Sequence, residues 1–153
     1  MKMTRRLKMA LTVLLCATLA GACREASAAA PEMVVYATPT CGCCEGWMEH
    51  LREHGFTVRV VHQNDLSAIH AQHRVPGALA SCHLGVVDGY VVGGHVPADA
   101  VRRLLAERPE VLGIAVPGMP AGSPGMEQPN GYVEPYEIYT FDEAGPRAVF
   151  EFR

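Results

Sequence analysis

The sequence predicts an α/β sandwich. Three observations point to it. Short β-rich runs alternate with amphipathic helical stretches, an Asp-Gly dipeptide separates two consecutive β-rich runs, and Gly or Pro punctuates the boundaries. The order reads β-α-β-α-β-β-α. That order fits a thioredoxin-like sandwich, a β-α-β unit followed by an antiparallel hairpin and a helix. A Gly/Pro/Met-rich loop and a C-terminal β-hairpin complete the expected domain.

The elements follow in turn. Met33–Ala37 is a β-rich run stopped by Thr38-Pro39-Thr40. Cys43–His54 reads as a helix, with Trp47 and Leu51 on one face and Gly55 as its C-terminal stop. Thr57–His62 is a second strand. Asp65–His73 reads as a helix capped by Asn64, with Ile69 inward, and Val75-Pro76-Gly77 breaks it. Cys82–Val87 and Tyr90–Val92 form a hairpin around Asp88-Gly89. Pro97 opens a helix through Glu107, with Val101, Leu104 and Leu105 as its apolar stripe. After Pro109 the periodicity is lost. Val116–Gly131 is rich in Pro and Gly and is expected to be an ordered loop or lid. Tyr136–Phe141 and Ala148–Phe152 suit a terminal hairpin.

The N-terminus carries an export signature. Lys2, Arg5, Arg6 and Lys8 precede the uncharged apolar run Ala10–Ala22, and Ala26-Ser27-Ala28 has the small-x-small form of a cleavage site. The apolar run is too short to span a bilayer, which takes about 20 residues. The expected division is a signal peptide over 1–28 and a single domain over 29–153. The expected compartment is the periplasm. Leu19-Ala20-Gly21-Ala22-Cys23 loosely resembles a lipoprotein box, so a lipid anchor on Cys23 stands as the alternative.

Cleavage changes the charge. The leader holds five of the 13 basic residues and one of the 16 acidic ones. The remainder has 8 Arg, no Lys, 15 acidic residues and a formal net charge of −7. Such a surface disfavours nucleic acid and anionic lipid and mildly favours cations.

Four cysteines remain: Cys41, Cys43, Cys44 and Cys82. Exported domains usually oxidise their thiols into well-separated structural pairs. Three of these fall within four residues, which points to metal or redox chemistry instead. Cys41-Gly42-Cys43-Cys44 sits at a strand-to-helix turn, where unpaired N–H groups and the helix dipole favour thiolate. Cys41 and Cys44 alone would form a redox C-x-x-C. Cys43 between them adds a third sulfur suited to bridging metal ions, and soft thiolates select Cu(I) or Zn. In thioredoxin-like folds the start of the strand at Cys82 faces the C-x-x-C loop, after a position usually held by proline. Here Ser81 takes that place, and Cys82 supplies a fourth sulfur. Two other readings stand beside metal binding. One is a structural Cys41–Cys44 disulfide with Cys43 and Cys82 merely buried. The other is a thiol–disulfide oxidoreductase in which Cys41 attacks and Cys44 resolves.

His83 adjoins Cys82, and strand neighbours point to opposite faces. It can share the site only if the strand is bulged or begins after Cys82. His95 lies in Gly93-Gly94-His95-Val96-Pro97, where the glycines suggest close backbone approach. Pro117-Gly118-Met119 and Pro124-Gly125-Met126 echo one another. Their methionines are candidate thioether ligands to Cu(I), or else adaptable apolar plugs. His50 and His54 have a zinc-compatible i, i+4 spacing, but Glu49 and Glu53 beside them suggest a solvated face. His62, His70 and His73 are assigned to the surface or the core edge. The chain has no Gly-rich phosphate loop, nucleophile elbow or haem-attachment signature.

These motifs together resemble the CopG-type copper-resistance family, small exported proteins long described as a domain of unknown function. The resemblance rests on Ala37–Cys44 and Trp47, Val75-Pro76, Ser81-Cys82-His83, Asp88–Val92 and Gly94–Pro97. It continues through Gly113–Pro120 and Gly122–Met126 and spans about Met33 to Gln128. It implies a thioredoxin-like fold, copper handling in the periplasm, and a thiolate-bridged cluster of several copper ions. Carried over, that cluster falls on Cys41, Cys43, Cys44 and Cys82, with His83, His95, Met119 and Met126 as further candidate ligands. Copper is thus the expected cofactor, and other periplasmic copper-handling proteins are the expected partners.

Overall fold

The computed structural model describes residues 30–153. The leader over 1–28 and the Cys23 anchor fall outside the described residues. The expected order is found. It runs β1 (Glu32–Ala37), α1 (Gly42–Glu53), β2 (Thr57–His62), α2 (Ser67–Gln72), β3 (His83–Val87), β4 (Tyr90–Gly93), α3 (Ala98–Glu107), β5 (Gly113–Ala115), β6 (Glu137–Asp142) and β7 (Gly145–Phe152). The strands form one mixed sheet in the order β2-β1-β3-β4-β5-β6-β7. β1–β2 and β4–β5 are parallel pairs, and the other neighbours are antiparallel.

The β1 alternation buries Met33, Val35 and Ala37. Cys44, Trp47, Met48 and Leu51 of α1 are buried at the spacing of one helical face. Val101 and Leu104 of α3 join the same core, with Leu105 packed against it. The Trp47 indole N–H donates to the Val96 carbonyl at 2.8 Å, so the large ring is buried without an orphan donor.

Two elements differ from the sequence reading. The helix expected over Asp65–His73 is confined to Ser67–Gln72. Asp65, rather than Asn64, satisfies its start, accepting from the Ser67 backbone N–H at 2.8 Å and the Ser67 hydroxyl at 2.7 Å. β5 was not anticipated. Its three residues are all buried, so they show no alternation. It nevertheless joins the terminal hairpin to the rest of the sheet. Gly113 is required there, because a Cβ would lie 1.8 Å from the Val91 carbonyl oxygen.

The expected loop contains no helix or strand between Val116 and Tyr136, yet it is tied down. Gly122 N–H donates to Met126 O, Met126 N–H to Ser123 O, and Glu134 N–H to Ala121 O, each at 2.8 Å. Gly125 has φ +84° and lies directly on the first turn of α1. A Cβ there would sit 2.6 Å from both the Cys43 carbonyl oxygen and the Trp47 nitrogen. The loop therefore closes over the end of the molecule that carries the cysteines.

Candidate metal centre

The chain reverses at Thr38-Pro39-Thr40 and starts α1 with Cys41 at the N-cap. The antiparallel register of β1 and β3 pairs Ala37 with His83. One residue further out, Thr38 N–H donates to Cys82 O at 3.1 Å. Strand pairing thereby carries Cys82 across to the helix start, although 38 residues separate it from Cys44.

The sulfurs converge. Cys82 Sγ lies 3.1 Å from Cys41 Sγ and 3.3 Å from Cys44 Sγ, and Cys43 Sγ lies 3.4 Å from Cys41 Sγ. Cys41 and Cys44 are joined by a disulfide, while Cys43 and Cys82 are free. Burial pushes the Cys82 thiol up, and the adjacent Cys43 adds to that shift.

β3 begins at His83, so Cys82 lies outside the strand and is released from its alternation. Both side chains can then serve one site. The ligand atoms of Cys41, Cys44, Cys82 and His83 all lie within 4.8 Å of one another. His83 is fully buried, and its ring stacks on Trp47 with centroids 4.6 Å apart. Its Nε2–H donates to the Gly94 carbonyl at 2.9 Å, which leaves the Nδ1 lone pair 3.8 Å from Cys82 Sγ. Burial holds the His83 pKa down to about 4; the Gly94 bond opposes this shift, and His95 adds to it. The ring is therefore neutral at pH 7, the form that ligates metals.

His95 meets His83 edge-on, with ring centroids 5.0 Å apart. Its Nδ1–H donates to Pro124 O at 2.8 Å, and its buried Nε2 has no hydrogen-bond partner among the described residues. Burial lowers its pKa too. The suspected close approach at the glycines is real: a Cβ on Gly94 would meet the Val116 carbonyl oxygen at 2.2 Å. Met119 shares a cavity of about 310 Å³ with Cys82, His83 and His95. Met126 is half-buried in the loop and does not line that cavity. Cys43 joins the cluster beside Cys41, 3.4 Å away, and also acts on the Cys82 thiol.

Sequence reasoning missed the groups that orient the imidazoles. Gly94 and Pro124 act through backbone carbonyls, which no side-chain pattern advertises. The spacing puts Trp47 on one face of α1, and in the fold its ring also stacks on His83. The expected solvated face at His50 and His54 is also more engaged than anticipated. Their rings stack with centroids 4.2 Å apart, and His50 Nε2 accepts the Ala98 N–H at the start of α3.

The donor set suits a soft metal. It combines thiol sulfur and neutral imidazole, with a methionine lining the adjoining cavity, and each histidine spends its other N–H on a carbonyl, as ligating histidines do. Cys41 and Cys44 can serve as thiolates once their disulfide is reduced.

A solved structure named "Copper resistance protein copG", Form 2, is similar to this chain with a TM-score of 0.75 and 39% identity, covering 81% of this chain and 98% of its own. This chain belongs to the CopG copper-resistance family. Form 1 of the same relative gives a TM-score of 0.73 and 39% identity, covering 80% of this chain and 96% of the other. A family model described as "Protein of unknown function, DUF411" matches residues 79–126. That stretch runs from Leu79 to Met126 and contains Cys82, His83, His95, Met119 and Met126. No curated protein matches the chain. Among the described residues, no helix is long and apolar enough to cross a membrane.

Proposed function

We propose that this protein is an exported copper-binding protein that serves copper resistance in the periplasm, with residues 1–28 as its signal peptide and a thioredoxin-like domain over 29–153. Cys41, Cys43, Cys44 and Cys82 hold Cu(I) as thiolates. His83 Nδ1 and His95 Nε2 complete the shell, and Met119 and Met126 are the thioether candidates on the loop. The single observation that carries this reading is the buried, unpartnered Nε2 of His95 beside a Cys/His cluster. An orphan acceptor in a protein interior is costly, and a soft cation is the partner that matches its surroundings.

Four thiolates exceed the needs of one linear or trigonal Cu(I), so a thiolate-bridged copper cluster fits the same residues. The test is metal analysis of protein purified reduced from copper-supplemented cells. Copper should co-purify, and a ratio above one per chain favours the cluster. A ratio near zero with all four thiols intact would overturn the copper reading.

The Cys41–Cys44 disulfide favours a second reading, thiol–disulfide exchange. If Cys43→Ser keeps full exchange activity and loses no copper, the enzyme reading takes precedence.

A further inference from the structure

The turn that walls the metal cavity borders a second space. Pro117, Gly118 and Met119 line the cavity with Cys82, His83 and His95, and the same three residues also line a separate open groove of about 420 Å³. Tyr136, Tyr139 and Phe152 supply aromatic surface to that groove, and Glu134 and Glu137 supply carboxylates. Met119 is 59% exposed and Phe152 67%, and Tyr132 and Val133, both exposed, directly precede Glu134. Four of the five exposed large hydrophobic side chains among the described residues therefore lie in the groove or within two residues of it along the chain. Clustered apolar exposure of this kind marks an interaction surface. The groove is held in shape by the backbone. Glu134 N–H donates to Ala121 O at 2.8 Å, and Tyr136 and Arg153 exchange backbone hydrogen bonds at 3.0 and 2.8 Å.

Charge decides what the groove takes. Glu134 accepts the Ala121 N–H at 3.3 Å and Glu137 accepts the Tyr139 hydroxyl, each through Oε2, and among the described residues neither carboxylate is in an ion pair. The described chain has no lysine, and its arginines are engaged elsewhere. Arg52, Arg59, Arg74, Arg103, Arg108, Arg147 and Arg153 pair with other carboxylates, and Arg102 donates to the His54 carbonyl. A second copy of this chain would bring the same engaged arginines, so the cation that matches the groove belongs to a different protein. An arginine or lysine fits it, with the stem packed on the aromatic rings and the charge at the carboxylates. We propose that the groove docks an arginine- or lysine-bearing segment of a protein that delivers Cu(I), and that the metal is released beside the wall formed by Pro117, Gly118 and Met119. The proposal rests on the copper reading above and names the surface that the copper donor uses. In the transfer the donor's bonds to copper break as bonds to the thiolates of this chain form. The thiol protons leave to solvent, and copper stays Cu(I), so no electron donor is needed.

The test uses a short synthetic peptide that holds Cu(I) through two methionines and carries one arginine beside them. Binding of the metal-free peptide to the reduced, metal-free protein is followed by NMR titration, and delivery from the Cu(I)-loaded peptide by stopped flow. Amide signals of Met119, Glu134, Tyr136 and Tyr139 should shift. The double variant Glu134→Gln, Glu137→Gln keeps both acceptor oxygens and loses the charges. It should weaken binding roughly tenfold and slow delivery to match, with the final copper content at the wild-type value. Phe152→Ser should weaken binding roughly fivefold. Glu110→Gln removes a carboxylate from a different cavity and should bind as wild type. Wild-type affinity in the double variant, an equal loss in Glu110→Gln, or shifts confined to other surfaces would overturn the groove. Free arginine binding as tightly as the peptide would make this a small-molecule site and overturn docking. If the peptide fails to bind while free Cu(I) still loads the protein, the docking surface alone fails. If the peptide binds but the protein holds no copper from either source, it is the copper reading that fails.

Discussion

His95 donates its Nδ1 proton to the carbonyl of Pro124, 2.8 Å away, and so presents a bare Nε2 to the buried space beside His83. One hydrogen bond links the strand-end histidine to the methionine-bearing loop and fixes which nitrogen is free. The loop and the imidazole are thereby one unit.

That bond separates two roles of His95. An Asn amide reaches about as far as Nδ1, so His95→Asn keeps the donation to Pro124 and removes Nε2. Apo stability should stay within about 1 kcal/mol of wild type, since one neutral hydrogen bond is at stake. Copper affinity, measured by competition with a Cu(I) chelator, should fall roughly tenfold or more. Unchanged affinity would remove His95 from the ligand set.

Gly125 holds the loop against α1 at φ +84°, with the Cys43 carbonyl and Trp47 nitrogen in the space a Cβ would fill. Gly125→Ala should cost roughly 2 kcal/mol or more in chemical denaturation, from backbone strain and the clash with main-chain atoms. It should also weaken copper binding, because Pro124 moves with it. A fully stable variant with normal affinity would show that the loop does not organise the site.

Acid should destabilise the metal-free protein. His83 has a folded pKa of about 4 against an ordinary 6.5. Between those values the unfolded chain binds the proton and the folded chain does not. The stability from neutral burial is therefore present above about pH 6.5 and is lost as pH falls toward 4. The loss amounts to about 3 kcal/mol for this group. His50, His70, His73 and His95 are also lowered, with burial as the first cause, and so contribute in the same direction. Denaturation midpoints from pH 7 to pH 4 should flatten in His83→Gln, which retains a donor for Gly94. An equal slope in that variant would refute the assignment.

α3 has no side-chain cap of its own, and Pro97 at its N-cap cannot supply one. His50 on α1 accepts the Ala98 N–H at 3.1 Å in its place. His50→Ala should cost about 1 kcal/mol, the usual scale of a lost cap. His50→Gln, which places an acceptor oxygen near the same point, should recover part of it. Equal losses in the two variants would mean that His50 acts by packing against His54 alone.

Much of the fold was legible from local pattern. β1, α1 and α3 carry clean periodicities, and Asp88-Gly89 marks the β3–β4 turn, so their identities and approximate ends follow from residue spacing. β5 escaped because a strand buried on both faces has no alternation to read. The later start of α2, at Ser67, escaped because Asn64 and Asp65 are equally good turn types, and only the local geometry selects Asp65 to accept from Ser67.

The four cysteines and their C-x-C-C spacing were determined by the sequence itself, since residue type and spacing are local facts. The tertiary structure decided which of the outlying candidates meet them. The β1–β3 register brings Cys82 to the helix start, the beginning of β3 at His83 lets two neighbours share one site, and carbonyls from Gly94 and Pro124 set the free imidazole nitrogens. Those choices depend on strand pairing and on backbone acceptors far apart in the chain. No side-chain pattern encodes them, and so the distinction between Met119 in the cavity and Met126 outside it appears only when the chain is folded.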